Sequence, residues 1–208
     1  MLFLLWLLGG YLLGAIPFGV LVCRALGRPD PRTTGSRNIG FTNVLRVAGK
    51  DAGLLTLLGD MGKGWIAGWS AGYLFGEERM VLAVALASVL GHLYSVFLRF
   101  RGGKGVATGL GAVLGVQPAL GGILLAVWLG AAAIWRYSSG AAIAAFAIFP
   151  LLVAFRGDGD LVMFALIVSG LILLRHRENI RRLWDGTEPK IGNRQGSSAD
   201  QAEPVSSA

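Results

Sequence analysis

The chain has 208 residues, 54% of them hydrophobic and only 15% charged, with a mean hydropathy of +0.61. That balance excludes an ordinary soluble globule and places the chain among membrane proteins. The net charge of +7 belongs to loops facing anionic lipid; no basic face with interleaved aromatics stands free of the apolar runs, so nucleic acid is not an expected partner. A single cysteine, Cys23, leaves no internal disulfide and no cysteine-based metal site.

Leu2–Val22 is the first apolar run, long enough for a bilayer that needs ~20 residues. It lacks the basic start and small-residue cleavage site of a removable signal, so it reads as a span. Gly10 and Gly14 offer a face for close helix packing, and Pro17 predicts a kink. Arg24–Lys50 is a polar loop with Arg24, Arg28, Arg32, Arg37, Arg46 and Lys50 against Asp30 alone. The second run, Leu54–Phe75, carries Gly64, Gly68 and Gly72 as a packing seam, and Asp60 with Lys63 at a spacing that lets them neutralise one another. Met80–Leu98 is the third run. Its His92, placed within the membrane, is assigned to a hydrogen bond with a neighbouring helix rather than to chemistry. The loop Arg99–Gly105 follows. Val106–Val116 is the fourth run, short for ~30 Å of hydrocarbon. Ala119–Trp135, Gly140–Phe155 and Leu161–Leu174 are the fifth, sixth and seventh, and Arg175–Trp184 is polar again. From Asp185 the composition turns to Gly, Ser, Asp, Gln and Pro, which predicts a disordered cytoplasmic tail over 185–208 behind a single integral-membrane domain, 1–184.

Charge decides whether the short fourth run crosses. If it does, every Lys and Arg except Arg79 and Arg156 falls on one side of the membrane; if it does not, Arg136 and the Arg175–Arg182 cluster move across and the asymmetry is lost. The positive-inside rule therefore predicts an all-α polytopic membrane protein of seven transmembrane helices, N-terminus outside and C-terminus cytoplasmic.

That topology gathers the polar motifs on one face. In Gly35-Ser36-Arg37-Asn38-Ile39-Gly40-Phe41-Thr42-Asn43-Val44-Leu45-Arg46, hydroxyls and amides offer hydrogen bonds and Arg46 offers a fork for phosphate; the competing reading is a helix capped by Ser36 or Thr42. Gly102-Gly103-Lys104-Gly105 has bare backbone, freedom to adopt positive φ, a central cation and a helix behind it, the ingredients of an anion nest. Tyr137-Ser138-Ser139 reads more readily as a cap for the sixth span. In Arg175–Trp184, His176 and Asn179 share a helical face, which an amphipathic lipid anchor does not require. There is no Walker A loop, no His-x-x-x-x-Asp dyad, no Gly-x-Ser-x-Gly elbow and no acidic cluster for a metal, so neither metal nor cofactor is expected. A face of anion-binding groups with one histidine suits a multiply anionic substrate that is already activated.

Taken together, Gly35-Ser36-x-Asn38-x-Gly40-x-Thr42-Asn43-x-x-Arg46, Gly102-Gly103-Lys104-Gly105 and His176-Arg177-x-Asn179-Ile180-x-Arg182-Leu183 resemble the motifs of the bacterial membrane glycerol-3-phosphate acyltransferases that use acyl phosphate. The resemblance implies a multi-pass protein of the bacterial cytoplasmic (inner) membrane. It implies transfer of a fatty acyl group from acyl phosphate to the sn-1 hydroxyl of glycerol 3-phosphate, an early step of phospholipid synthesis. By the same resemblance Ser36, His176 and Asn179 are catalytic. Asn38, Thr42, Asn43, Arg46, Gly102, Gly103, Lys104, Gly105 and Ser139 bind substrate, with membrane lipid as surroundings and a monomer as the working unit. Two positions depart from the family pattern: Arg37 stands where many members have glycine, and Ala142 where some have serine. The competing class is a small transporter of an organic phosphate anion, but no internal repeat is visible.

Overall fold

The structure, a computed structural model, describes residues 1–192. Among these there are ten α-helices and no strand. They are α1 (Leu2–Ala15), α2 (Phe18–Ala25), α3 (Phe41–Ala48), α4 (Lys50–Leu74), α5 (Glu78–Leu93), α6 (Val106–Val116), α7 (Pro118–Trp135), α8 (Ser138–Ala154), α9 (Gly159–Arg175) and α10 (Arg177–Trp184). A single 3₁₀ turn, Val96–Leu98, extends α5. Each apolar run is helical. The segment Glu78–Leu98 and helix α7 are each long and apolar enough to cross a membrane, and the pairs α1–α2 and α9–α10 qualify as broken spans bent by 46° and 60°. Helices α6 and α8 are shorter, at 11 and 17 residues.

The burial pattern is that of a lipid-embedded bundle. Large side chains such as Leu4, Leu58, Trp69, Leu151, Leu166 and Leu174 are exposed, while Ala52, Gly53, Gly64, Ala67, Gly68 and Ala71 of α4 are buried. Lipid tails are as apolar as leucine, so helices associate through close packing and not through burial of large side chains. The glycine seams do this. A Cβ on Gly64 would overlap the Thr108 carbonyl, and one on Gly111 would overlap that of Met61, so α4 and α6 interlock reciprocally. Gly14 and Gly91 do the same for α1 and α5. Gly72 lies outside the α4–α6 seam, its nearest neighbour being Val81. Between α5, α6, α7, α8 and α9 a tighter core forms from Val89, Leu93, Leu110, Val113, Leu124, Phe146, Phe149, Phe164 and Ile172. Phe149 packs edge-on against both Phe146 and Phe164, with centroids 6.4 and 6.3 Å away.

Pro17 breaks the first run into two helices rather than bending one. The break frees backbone carbonyls inside the bundle, and two polar side chains satisfy them: Lys63 Nζ donates to Ile16 O at 2.8 Å and Ser95 Oγ to Ala15 O at 2.6 Å. Lys63 also meets Asp60 Oδ1 at 2.8 Å, with both side chains about 1% exposed, which is the pairing their spacing predicts. His92 sits at the C-terminal end of α5, not mid-helix, with Nδ1 3.5 Å from Asp60 Oδ1.

Chain termination differs from the expectation. The packed unit does not end at Trp184: residues 185–192 fold back over the start of α8, where Ile191 N donates to Arg136 O at 2.6 Å and Lys190 lies over the Tyr137 ring. The expected disorder is therefore not found over 185–192, and the rest of that expectation, 193–208, lies outside the described residues.

Candidate active site

The first motif forms a loop and the helix α3. Gly40 is the N-cap and no side chain caps the helix, so neither Ser36 nor Thr42 has that task. Instead Asn43, buried on α3, reaches back into the loop. Its Oδ1 accepts from Ser36 N at 2.9 Å, and its Nδ2 donates to the carbonyls of Pro31, Thr34 and Asn38 at 3.0, 3.1 and 2.9 Å. Asn38 Oδ1 accepts from Gly40 N at 2.8 Å. Gly35 has φ +63°, and a Cβ there would overlap Asn43 Oδ1. Arg37, at φ +57°, holds a left-handed conformation that glycine adopts at no steric cost, which accounts for the glycine of the family pattern. With its amide spent on the loop, Asn43 builds the site's first wall. Thr42 and Arg46, one turn apart, face the cavity, and Thr42 Oγ1 lies 2.7 Å from Ser138 Oγ.

The glycine loop is not the bare nest expected. The amides of Gly102 and Gly103 donate to Leu93 O and His92 O at 3.1 and 3.0 Å, and only Gly105, at φ +86°, has positive φ. Gly102 and Gly103 are needed for space: a Cβ would overlap the His92 carbonyl at one and His92 Nε2 at the other. Neither glycine lines the cavity; Lys104, Gly105 and the first turn of α6 do. What remains for an anion is the Lys104 ammonium and the amide end of an 11-residue helix.

His176 occupies the bend between α9 and α10, and Asn179 lies one turn later; both are buried and both face the cavity, as their shared face predicts. Burial pushes the His176 imidazole down to about 4, although the bond to the Ile172 carbonyl opposes this. The ring is therefore neutral near pH 7. Nδ1 donates to Ile172 O at 2.8 Å, which leaves Nε2 as a hydrogen-bond acceptor. Burial likewise lowers Lys104 to about 8.

A residue outside all three motifs completes the network. Glu188 accepts from Ser139 Oγ at 2.6 Å and Asn179 Nδ2 at 2.7 Å through Oε1, and from Arg182 Nε at 2.7 Å through Oε2. Burial opposes its charge, but those three donors hold its carboxyl below the usual range. Lys104 Nζ donates to Asn179 Oδ1, so one chain of contacts runs from the glycine loop through Asn179 to Glu188. Ser138 and Ser139 thus serve Thr42 and Glu188, and α8 has no side-chain cap. Sequence reasoning missed Ser138, Arg182 as a wall residue, and Glu188, and it gave His92 and Asp60 structural tasks although both also line the cavity. The one local signal for Glu188 was the turn at Gly186, φ +69°, which reverses the chain just after α10.

These groups surround one cavity of about 190 Å³. Ser36, Asn38, Thr42, Arg46, Lys104, Ser139, His176 and Asn179 line its polar part together with Arg182, Glu188 and the Asp60–His92 pair; Leu57, Met61, Leu110, Leu125, Trp128 and Leu129 form an apolar part between α4, α6 and α7. A cation-rich pocket continuous with an apolar one fits a molecule with an anionic head and a hydrocarbon chain.

The family described as glycerol-3-phosphate acyltransferase matches residues 4–186. A glycerol-3-phosphate acyltransferase of Methylobacillus flagellatus is 48% identical over 193 residues, covering 91% of this chain and 97% of its own. One of Aromatoleum aromaticum is 49% identical, with 91% and 97% covered. Among solved structures, PlsY (YgiH), an integral membrane glycerol 3-phosphate acyltransferase, aligns in its glycerol 3-phosphate form with TM-score 0.87 at 41% identity, covering 92% of this chain and 96% of that one. Its lysophosphatidic acid form aligns with TM-score 0.84 at 39% identity, covering 91% and 95%. The chain belongs to the glycerol-3-phosphate acyltransferase family.

Proposed function

We propose that this chain transfers a fatty acyl group from acyl phosphate to the sn-1 hydroxyl of glycerol 3-phosphate, at the inner face of the bacterial cytoplasmic membrane. The observation that carries this is a cavity in which Arg46, Lys104 and Arg182 stand beside an apolar groove. The seven runs cross the membrane with the C-terminus inside, as the charge asymmetry supports. A monomer is the working unit of this proposal.

Acyl phosphate is a mixed anhydride with a good leaving group, so no acyl-enzyme is required. The glycerol hydroxyl oxygen attacks the acyl carbonyl carbon, the bond from that carbon to the phosphate oxygen breaks, and the hydroxyl proton passes to the released phosphate. Lys104, Arg46 and the amide end of α6 bind the phosphates and stabilise charge growing on the leaving group. His176 Nε2, neutral and weakly basic, accepts the hydrogen bond of the attacking hydroxyl and aligns it, while Asn179 and Ser36 hold glycerol oxygens. Asn43 and Asn38 maintain the loop that presents Ser36.

The test is purified protein in detergent with labelled glycerol 3-phosphate and palmitoyl phosphate, repeated with acyl-carrier-protein and coenzyme A thioesters. Label in lysophosphatidic acid with the phosphate donor alone is the expected result. Equal rates with a thioester donor would overturn the donor assignment.

A further inference from the structure

Arg175, the last residue of α9, does not line the cavity. Its guanidinium lies over the Tyr94 ring, 5.8 Å from the centroid. Nε donates to Gly103 O at 3.1 Å and Nη2 to Gly102 O at 2.8 Å. The amides of the same two residues donate to Leu93 and His92 on the opposite side. Both peptide edges of the pair are therefore fixed, one by the end of α5 and one by the end of α9. The His92 ring fills the space that a Gly103 side chain would need, and Asp60 stands behind that ring. The residue that follows is Lys104.

We infer that Arg175 is a positioning residue for Lys104: its fork on two consecutive carbonyls fixes the glycine loop, so that the ammonium meets a substrate phosphate without rearrangement. A lysine ammonium on a flexible stem gains little from being near a phosphate unless its backbone is held. Arginine suits this task because its planar fork holds two N–H donors at a fixed spacing that matches two consecutive carbonyls, a geometry the point-charge ammonium of lysine does not impose. Arg175 also adds positive charge near Lys104, alongside Arg182; Glu188 and Glu178 oppose them and His176 is neutral. The inference rests on Lys104 as a phosphate-binding group.

The full chain in detergent is compared with Arg175→Gln, Arg175→Lys and Lys104→Met, measuring kcat, KM for both phosphate substrates and the pH profile of kcat/KM. Arg175→Gln is expected to raise KM for a phosphate substrate about tenfold, with kcat changed far less. It also moves the alkaline limb, which lies near pH 8, to higher pH, because a charge opposing the ammonium is gone. Arg175→Lys restores that limb but not KM, a split that simple loss of stability does not produce. Should Arg175→Gln fail to fold, the raised KM with unmoved limb in Arg175→Lys still decides. Wild-type KM in both Arg175 variants overturns the inference. Unchanged kcat/KM in Lys104→Met overturns instead the reading of Lys104 on which it rests.

Discussion

The two polar loops of the site are held by opposite strategies. Residues 31–43 are tied by one of their own side chains, Asn43, which gathers four backbone groups of the same loop. Residues 102–105 hold almost nothing of themselves; the ends of α5 and α9 hold them. The first loop is thus a local unit whose shape is written within a dozen residues. The second is a suspended segment whose shape depends on helices brought together only by the fold, and damage to it can be repaired from elsewhere.

The sharpest way to break this contrast is Asn43→Ala. It strands four backbone groups at once, and we expect a loss of about 2–4 kcal/mol in stability with near-complete loss of activity, read by thermal melting and turnover in detergent. No distant substitution should rescue it. Gly103→Ala comes next, at about 1–3 kcal/mol, because a Cβ collides with the His92 ring. Here rescue is expected: adding His92→Gly clears the collision and should recover part of the lost turnover, and a double variant no better than Gly103→Ala would refute the suspended-loop account. Thr42→Val and Ser138→Ala remove the one direct side-chain bond between the first loop's helix and α8, at about 1 kcal/mol each. A double-mutant cycle should show them strongly non-additive. On pH, kcat/KM should fall as pH rises through about 8, where Lys104 loses its proton, and His176 should impose no acid limb above about pH 4. A wild-type limb near 6.5 that vanishes in His176→Asn would refute the neutral, weakly basic ring. The smallest effect is Arg37→Gly, which relieves a left-handed φ but adds glycine's chain entropy, and should stabilise the local loop by about 0.5 kcal/mol without altering turnover.

The helices and seams were legible because their causes are local: apolar runs of fixed length, and glycines recurring at helical spacing. Gly10, Gly14, Gly64 and Gly68 are where backbones approach, whereas Gly72 shows that spacing alone does not say how far a seam runs. The motifs announced the site, and all but Gly102 and Gly103 of the residues they nominated line the cavity. Their individual tasks were less visible. A glycine reads as bare backbone in sequence, yet the amides of 102 and 103 are spent on carbonyls contributed by α5. Asn43 reads as a ligand; it lines the cavity, but its amide is spent bracing the loop. Ser138 and Ser139 read as caps because nothing nearby shows their partners, which lie 96 residues before one and 49 after the other. Composition marked everything after Trp184 as unstructured, since a single carboxylate leaves no trace in an average.

The position of Glu188 bears on how this protein is handled. It stands past α10, where a cloning boundary or an affinity handle is customarily placed, yet its neighbours are Ser139, Asn179 and Arg182. A fusion joined directly behind Trp184 would strip three donors, two of them buried, of their shared acceptor, and an inert preparation is the expected result. Splicing beyond Gly192 spares them.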